Sequence, residues 1–115
     1  MRMRMRMRMV NFAKAAKESL IQYDILKYLN GLEMCKAIKI MAANEGGTPD
    51  IFCVYHGVPI ILEVKASEKD AWAAMENQKR QFMQLNQWRD TGAKVMYVWS
   101  LDMMKDIICE TRIKL

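Results

Sequence analysis

The sequence contains one histidine, three cysteines and no long hydrophobic run. His56 stands alone at a predicted turn, which excludes zinc sites and catalysis that depends on histidine. Cys35, Cys53 and Cys109 are widely separated and lack metal-ligand spacing, so we expect buried free thiols in a reducing cytoplasm. No apolar segment approaches the ~20 residues that span a bilayer. The first residues also lack the continuous apolar segment of a secretory signal. These absences predict a cytoplasmic protein without a membrane partner.

A strong charge of one sign is also missing. The formal net charge is +5, but four of the 18 basic residues belong to the Met-Arg alternation at the start, leaving 14 basic against 13 acidic residues. Overall charge therefore does not indicate a nucleic-acid partner, which would need a local patch. The length of 115 residues, 52% of them hydrophobic, fits one domain. We assign residues 1–10 to a low-complexity basic arm and residues 11–115 to a single domain.

Hydrophobic periodicity and turn residues predict an α/β fold in which helices flank a mixed β-sheet. The predicted order is α-β-β-β-α-β-α, with an edge strand at the C-terminus and an ambiguous segment over 67–74. Glycines at 46 and 47 permit positive φ and the close approach of another backbone. The predicted elements are a helix over 11–30, a strand over 33–43, strands over 51–55 and 58–64, a helix over 75–90, a strand over 93–99, a helix over 101–109 and the edge strand over 111–115.

The central feature is a predicted hairpin with three charged residues at its open end. Strands over 51–55 and 58–64 are rich in β-branched and aromatic residues and flank a His-Gly turn. A two-residue loop places Asp50 opposite Glu63, with their Cβ atoms ~5 Å apart. Lys65 projects from the same face because it lies two residues beyond Glu63. The strands are otherwise apolar on both faces, which predicts a sheet covered on both sides.

Two neighbouring carboxylates in so apolar a setting repel each other unless a cation lies between them. Their oxygen ligands favour Mg²⁺ or Mn²⁺ over zinc. The inert alternative is a Glu-Lys pair at the edge of the sheet, accompanied by a turn aspartate at Asp50. The matching positions of Asp50, Glu63 and Lys65 favour the metal site.

Four further side chains are candidates, each with a structural alternative. Glu18 lies on the apolar face of the first helix, where it either points at the metal cluster or favours the helix dipole from solvent. Gln78 extends an apolar helix stripe, so it would need a polar partner near Lys65 or a backbone carbonyl. Lys79 and Arg80 lie on neighbouring faces, where they either meet DNA phosphates or remain solvated.

The ordered set of these residues resembles the VRR-NUC branch of the PD-(D/E)xK nucleases, and in particular its stand-alone, phage-type members. The resemblance covers about residues 11–108 and implies a restriction-endonuclease-like fold. It also implies a homodimeric, Mg²⁺- or Mn²⁺-dependent endodeoxyribonuclease that cuts four-way (Holliday) junctions, in the host cytoplasm if a phage encodes it. The residues that carry it are Glu18, Thr48-Pro49-Asp50, Glu63-Val64-Lys65 and Gln78.

The resemblance also assigns roles to these residues. Asp50, Glu63 and the backbone carbonyl of Val64 would bind the metal, and Glu18 would bind it through water or hold a second ion. Lys65 would orient or deprotonate the attacking water, and Gln78 would position Lys65 or the water. The alternatives are a flap- or single-strand-selective nuclease of the same fold, a non-catalytic DNA-binding module, and a protein-interaction domain.

Overall fold

The computed structural model describes residues 2–115, and the side chains of residues 1–8 and 10 lie outside its described part. The first helix begins at Arg2 rather than at residue 11, so its backbone includes the Met-Arg repeat. The elements in chain order are α1 (Arg2–Asn30), β1 (Cys35–Lys39), β2 (Ile51–Tyr55), β3 (Val58–Val64), α2 (Glu68–Asn77), α3 (Lys79–Asp90), β4 (Lys94–Val98) and α4 (Leu101–Ile113).

The central hairpin has the predicted strands and register. His56 and Gly57 form its two-residue turn with φ of 47° and 78°, and positive φ at both turn residues matches the right-handed twist of the strands. Ile51 pairs with Leu62 in the antiparallel ladder. The next positions outward are Asp50 and Glu63, so the turn and the register together define the open end of the hairpin.

The four strands form one mixed sheet in the order β1-β2-β3-β4. The first three strands are antiparallel neighbours, and β4 runs parallel to β3. β1 covers only part of the predicted 33–43 strand. Beyond it, the amide of Ile40 still donates to the carbonyl oxygen of Asp50 at 2.8 Å. The two ends of the loop between β1 and β2 are therefore held together at Ile40 and Asp50.

Helices cover both faces of the sheet, which confirms the prediction from the apolar strands. On one face α1 and α4 bury a large cluster with Tyr55, Ile60, Leu62, Ile25, Leu29, Met104 and Ile108. On the other face α2 and α3 bury a smaller cluster with Ile61, Ala71, Ala74, Leu85, Val95 and Tyr97. Coverage is incomplete near the β1 edge, where Ile38 and Val54 remain about half exposed. The face of α2 and α3 is also the face of Glu63.

The helix predicted over 75–90 is two helices. α2 begins at Glu68 because Ser67 caps it, with the Ser67 hydroxyl accepting a hydrogen bond from the Asp70 amide at 3.2 Å. Gln78 separates α2 from α3, with φ of −108° and ψ of 68° outside the helical region. The segment 67–74 is therefore mostly helical, and the order becomes α-β-β-β-α-α-β-α.

The C-terminal edge strand predicted over 111–115 is wrong, because α4 continues to Ile113. Thr111 is buried, and its hydroxyl donates to an α4 carbonyl and accepts from the Lys94 ammonium, each at 2.8 Å. These contacts keep the segment helical against β4. The predicted cap is present, since the Ser100 hydroxyl accepts a hydrogen bond from the α4 amide three residues later at 3.2 Å.

The cysteines are free, as predicted, but not all are buried. Cys53 is buried and Cys35 is half-buried, with their sulfur atoms 3.5 Å apart, whereas Cys109 is exposed on α4. The expectation of burial is wrong for Cys109, which lies on the solvent side of α4. The predicted helix ended at this residue, whereas α4 continues to Ile113. Among the described residues, no helix is long and apolar enough to cross a membrane.

Candidate active site

Asp50 and Glu63 lie side by side at the open end of the hairpin, as the register predicted. The Asp50 amide donates to the Leu62 carbonyl at 3.0 Å, which continues the ladder one residue beyond β2. One Asp50 carboxylate oxygen accepts a hydrogen bond from the Val64 amide at 2.8 Å. The backbone of β3 thus fixes the carboxylate of Asp50 next to the side chain of Glu63.

Glu63 is a buried carboxyl group with incomplete hydrogen bonding. The residue is 2% exposed, and its Oε1 has no hydrogen-bond partner. Its Oε2 accepts from the Gln81 amide and lies 3.8 Å from the Lys65 ammonium. Burial, then the hydrogen bond and charge of Asp50, raise the pKa of Glu63 to about 9, against the opposing effect of Lys65. Without a cation the group is protonated at neutral pH.

These features fit a divalent cation. An unpartnered, buried carboxylate oxygen beside a second carboxylate is an acceptor site that a cation would satisfy. Within residues 2–115, however, no cluster of three Asp, Glu, His or Cys side chains is arranged to hold a metal ion. An ion at Asp50 and Glu63 would therefore complete its shell with backbone oxygens and water, as Mg²⁺ commonly does.

Lys65 is held at the same end of the sheet and meets Gln78. Its backbone amide donates to the Val98 carbonyl at 2.9 Å, and its side chain is buried. The Lys65 ammonium donates to Gln78 Oε1 at 3.3 Å. Gln78 itself is exposed at the break between α2 and α3. The prediction that it extends a buried stripe is therefore wrong. The contact with Lys65 arises because the chain turns at that break.

Glu18 reaches the mouth of the site from α1. Its side chain is half-buried and lines a cavity together with Lys65. The pKa of Glu18 is raised, mainly by burial. The charge of Lys65 opposes this shift, as does the Ala66 amide, whereas the charges of Asp50 and Asp70 add to it. These influences place its carboxyl group in the electrostatic field of the site.

Gln81 is a site residue that the sequence analysis missed. Its amide nitrogen donates to Glu63 Oε2, and its own Oε1 is buried without a partner. The available signal was its spacing, because it lies one helical turn after Gln78. The sequence pattern favoured Gln78 because a continuous helix extended the apolar stripe to that position.

Two glycines bring the loop before β2 against the start of α3. A Cβ atom at Gly47 would lie 3.0 Å from both the backbone nitrogen and Cα of Gln81, and Gly47 has φ of 75°. A Cβ atom at Gly46 would lie 2.9 Å from Cζ of Arg80. The expected close approach of another backbone is thus present. It sets the position of Gln81 relative to Asp50.

Lys79 and Arg80 lie exposed in the first turn of α3, beside the site. Arg80, Gly46 and Gln84 line a cavity of about 270 Å³ between α3 and the loop before β2. Gln84 closes its base by donating to the Gly46 carbonyl at 2.9 Å. Arg80 therefore borders this cavity, whereas Lys79 is exposed next to it in the chain and does not line it.

Tyr97 is a second residue that the sequence analysis did not connect with the site. It is the partner of Glu63 in the parallel β3–β4 register, and its hydroxyl is buried without a hydrogen-bond partner. Burial, followed by the charge of Glu63, raises the pKa of Tyr97. The side chains around Glu63 thus include a second polar atom without a partner.

No family model matches the sequence, and no curated protein matches it. A solved structure described as a VRR_NUC domain is similar, with 24% sequence identity over 80% of this chain and 94% of that chain, at a TM-score of 0.66. The similarity confirms the predicted restriction-endonuclease-like architecture, a mixed four-stranded sheet flanked by helices. The chain therefore has the fold of a VRR_NUC domain.

Proposed function

We propose that this protein is a metal-dependent DNA endonuclease that hydrolyses phosphodiester bonds. The carrying observation is the buried carboxyl group of Glu63 beside Asp50, with one oxygen unpartnered and its pKa raised to about 9. A protein rarely retains so costly an arrangement without a function for it. The shared fold of a solved VRR_NUC domain supports nuclease activity as that function.

Asp50 and Glu63 would hold Mg²⁺ or Mn²⁺ in this proposal, together with the backbone carbonyl of Val64. When bound, such an ion polarises a phosphoryl oxygen and lowers the pKa of a coordinated water. Lys65 would orient the attacking water and stabilise the negative charge that develops on the phosphoryl group. Glu18 supports the ion through water or holds a second one.

The two amides at the start of α3 hold these groups in position. Gln78 accepts from the Lys65 ammonium at 3.3 Å, which limits the directions that this flexible side chain can take. Gln81 donates to Glu63 and orients its carboxylate. Lys79 and Arg80 contact phosphates of the bound DNA.

The preferred substrate in this proposal is a four-way DNA junction, cut by a homodimer. The resemblance of the motif residues to a nuclease branch that includes junction-cutting homodimers supports this substrate. A flap- or single-strand-selective nuclease with the same site is the alternative substrate class. A DNA-binding module without catalysis is the alternative outside enzymes.

The test is cleavage of labelled four-way junction, flap, nicked duplex, linear duplex and single-stranded DNA with Mg²⁺ or Mn²⁺. The Lys65→Ala variant removes the proposed water-orienting group, and Lys114→Ala, an exposed lysine after α4, removes the same charge elsewhere. We expect paired cuts in the junction by wild type and Lys114→Ala and none by Lys65→Ala. Cleavage of flaps or single strands instead would keep the site and change the substrate. Metal-dependent binding without any cleavage would favour the non-catalytic module.

A further inference from the structure

A cavity beside Lys65 contains side chains that the proposed chemistry does not use, among them Lys14 and Asp70. It has a volume of about 220 Å³ and lies between α1 and α2, with Lys14, Glu18 and Asp70 among the side chains that line it. A single water needs only ~10–15 Å³ of such space, so the cavity can admit a larger polar group. Lys65 belongs to both the cavity and the candidate active site, which makes the two continuous.

Lys14 is held at the mouth of this cavity by Asp70. The Lys14 ammonium lies 3.0 Å from Asp70 Oδ1, and its side chain is still 50% exposed. Asp70 is itself fixed, because its Oδ2 accepts from the Ser67 hydroxyl at 2.9 Å. A lysine ammonium carries three N–H donors, so this ion pair leaves it able to bind a second anion. The ammonium is thus positioned in advance, which reduces the entropy cost of a further contact.

The balance of charges at the cavity suits a phosphodiester. Its carboxylates are Glu18 and Asp70, and its ammonium groups belong to Lys14 and Lys65. Asp70 has both oxygens occupied, by Lys14 and by Ser67, so it does not present a free anionic oxygen to an entering ligand. Asn77, at the end of α2, adds a neutral amide to the lining. The two ammonium groups can each donate to the oxygens of a singly charged phosphate group, and burial raises the pKa of Glu18, which weakens its opposing charge.

We propose that this cavity binds the phosphate next to the scissile phosphodiester on the same DNA strand, and that the contact is made by Lys14. The inference rests on the proposed nuclease function, in which Lys65 acts at the scissile phosphate and the adjoining cavity accepts the next phosphate of the strand. The contact reads no base, so it contributes affinity and register rather than sequence preference. It also assigns to α1 a role in holding the cleaved strand.

A purely structural role for the same pair predicts different behaviour. An ion pair that only ties α1 to α2 loses its effect equally when either partner is neutralised. A phosphate contact behaves asymmetrically, because removing Lys14 removes the contact while neutralising Asp70 releases the ammonium for DNA. The two roles therefore separate in a comparison of Lys14→Ala with Asp70→Asn.

The experiment measures binding of fluorescently labelled junction and duplex DNA by the full chain in EDTA, over a series of salt concentrations. One phosphate contact contributes about 0.9 to the slope of log K against log salt, or about eightfold in affinity at about 0.1 M salt. We expect this loss in Lys14→Ala and not in Lys17→Ala, which removes an exposed lysine of the same helix outside the cavity. Asp70→Asn should bind DNA as tightly as wild type or more tightly.

Equal affinities and slopes for Lys14→Ala and Lys17→Ala would overturn the inference. So would a parallel loss of affinity in Lys14→Ala and Asp70→Asn with matching falls in melting temperature, which is the structural result. Absence of DNA binding by the wild-type chain, both in EDTA and with a divalent cation, would overturn both this inference and the proposed function. Wild-type cleavage with an unaffected Lys14→Ala variant would overturn the inference alone.

Discussion

Replacing Glu63 with glutamine should remove a pH dependence of stability that the metal-free protein carries. Glu63 ionises near its ordinary pKa of 4.5 in the unfolded chain, whereas burial and the neighbouring Asp50 raise its pKa to about 9 in the folded protein. Between these values folding takes up a proton. The stabilising contribution is therefore complete below the lower value and is lost as the pH rises toward the higher one.

The magnitude follows from the width of this window. Each pH unit within it changes the free energy of unfolding by about 1.4 kcal/mol for one proton. Between roughly pH 5 and pH 8 the metal-free protein should therefore lose about 4 kcal/mol, a large share of the ~5–15 kcal/mol typical of a domain. Glutamine cannot ionise, so Glu63→Gln should lack this component. Divalent cations should stabilise the wild type at the higher pH by binding the ionised pair, and they should not stabilise the variant.

Urea denaturation in EDTA at several pH values measures the effect, with the wild type compared with Glu63→Gln at each pH. Glu76→Gln serves as the control, because Glu76 is exposed on α2 and loses the same charge. The difference between wild type and Glu63→Gln isolates the titration of this one group from all others. Parallel curves for the two proteins would refute the reasoning, since they would show that Glu63 is ionised in the folded state without a metal.

Other substitutions test the surroundings of the site by urea denaturation or metal titration. Gly47→Ala should lower the free energy of unfolding by about 2–3 kcal/mol, because it adds a contact at 3.0 Å to a residue with φ of 75°. Gly57 has φ of 78° and nothing within 4 Å of an added Cβ atom, so Gly57→Ala should lower the free energy of unfolding by only about 1–2 kcal/mol. Equal losses in the two glycine variants would show that Gly47 does not pack tightly against α3. Tyr97→Phe removes a buried hydroxyl without a partner and should leave the free energy of unfolding unchanged or raise it. Tyr55→Phe removes a hydroxyl that accepts a hydrogen bond from Arg112 at 2.9 Å and should lower the free energy of unfolding by about 1 kcal/mol. Gln81→Ala should weaken Mn²⁺ binding by about 10–100-fold in calorimetric titration if its amide orients the buried carboxylate of β3, and an unchanged affinity would contradict that role.

The hairpin could be predicted because its determinants are local. The His56-Gly57 pair specifies the two-residue turn, and the turn fixes the register of β2 and β3. Once the register is fixed, the alternation of side chains decides which residues share a face with Asp50. The position of Glu63 therefore follows from a few neighbouring residues and requires no knowledge of the rest of the fold.

The second layer of the site could not be predicted because it depends on contacts between distant segments. Helical periodicity alone cannot show that the chain breaks at Gln78, where φ and ψ leave the helical region. Which of the two glutamines reaches Glu63 depends on how closely Gly47 approaches the first turn of α3. That approach joins residues more than thirty positions apart, and so no local pattern records it.

Among the described side chains, most of the buried polar atoms without a hydrogen-bond partner lie around Glu63. Within the described part of the chain, four buried side-chain atoms lack hydrogen-bond partners, and three of them belong to Glu63, Gln81 and Tyr97. Glu63 pairs in register with Tyr97 and accepts from Gln81, so these residues form one neighbourhood. Elsewhere the sheet is packed by apolar clusters that need no polar partners. The unpartnered atoms thus concentrate around Glu63, where a bound cation would occupy the free carboxylate oxygen.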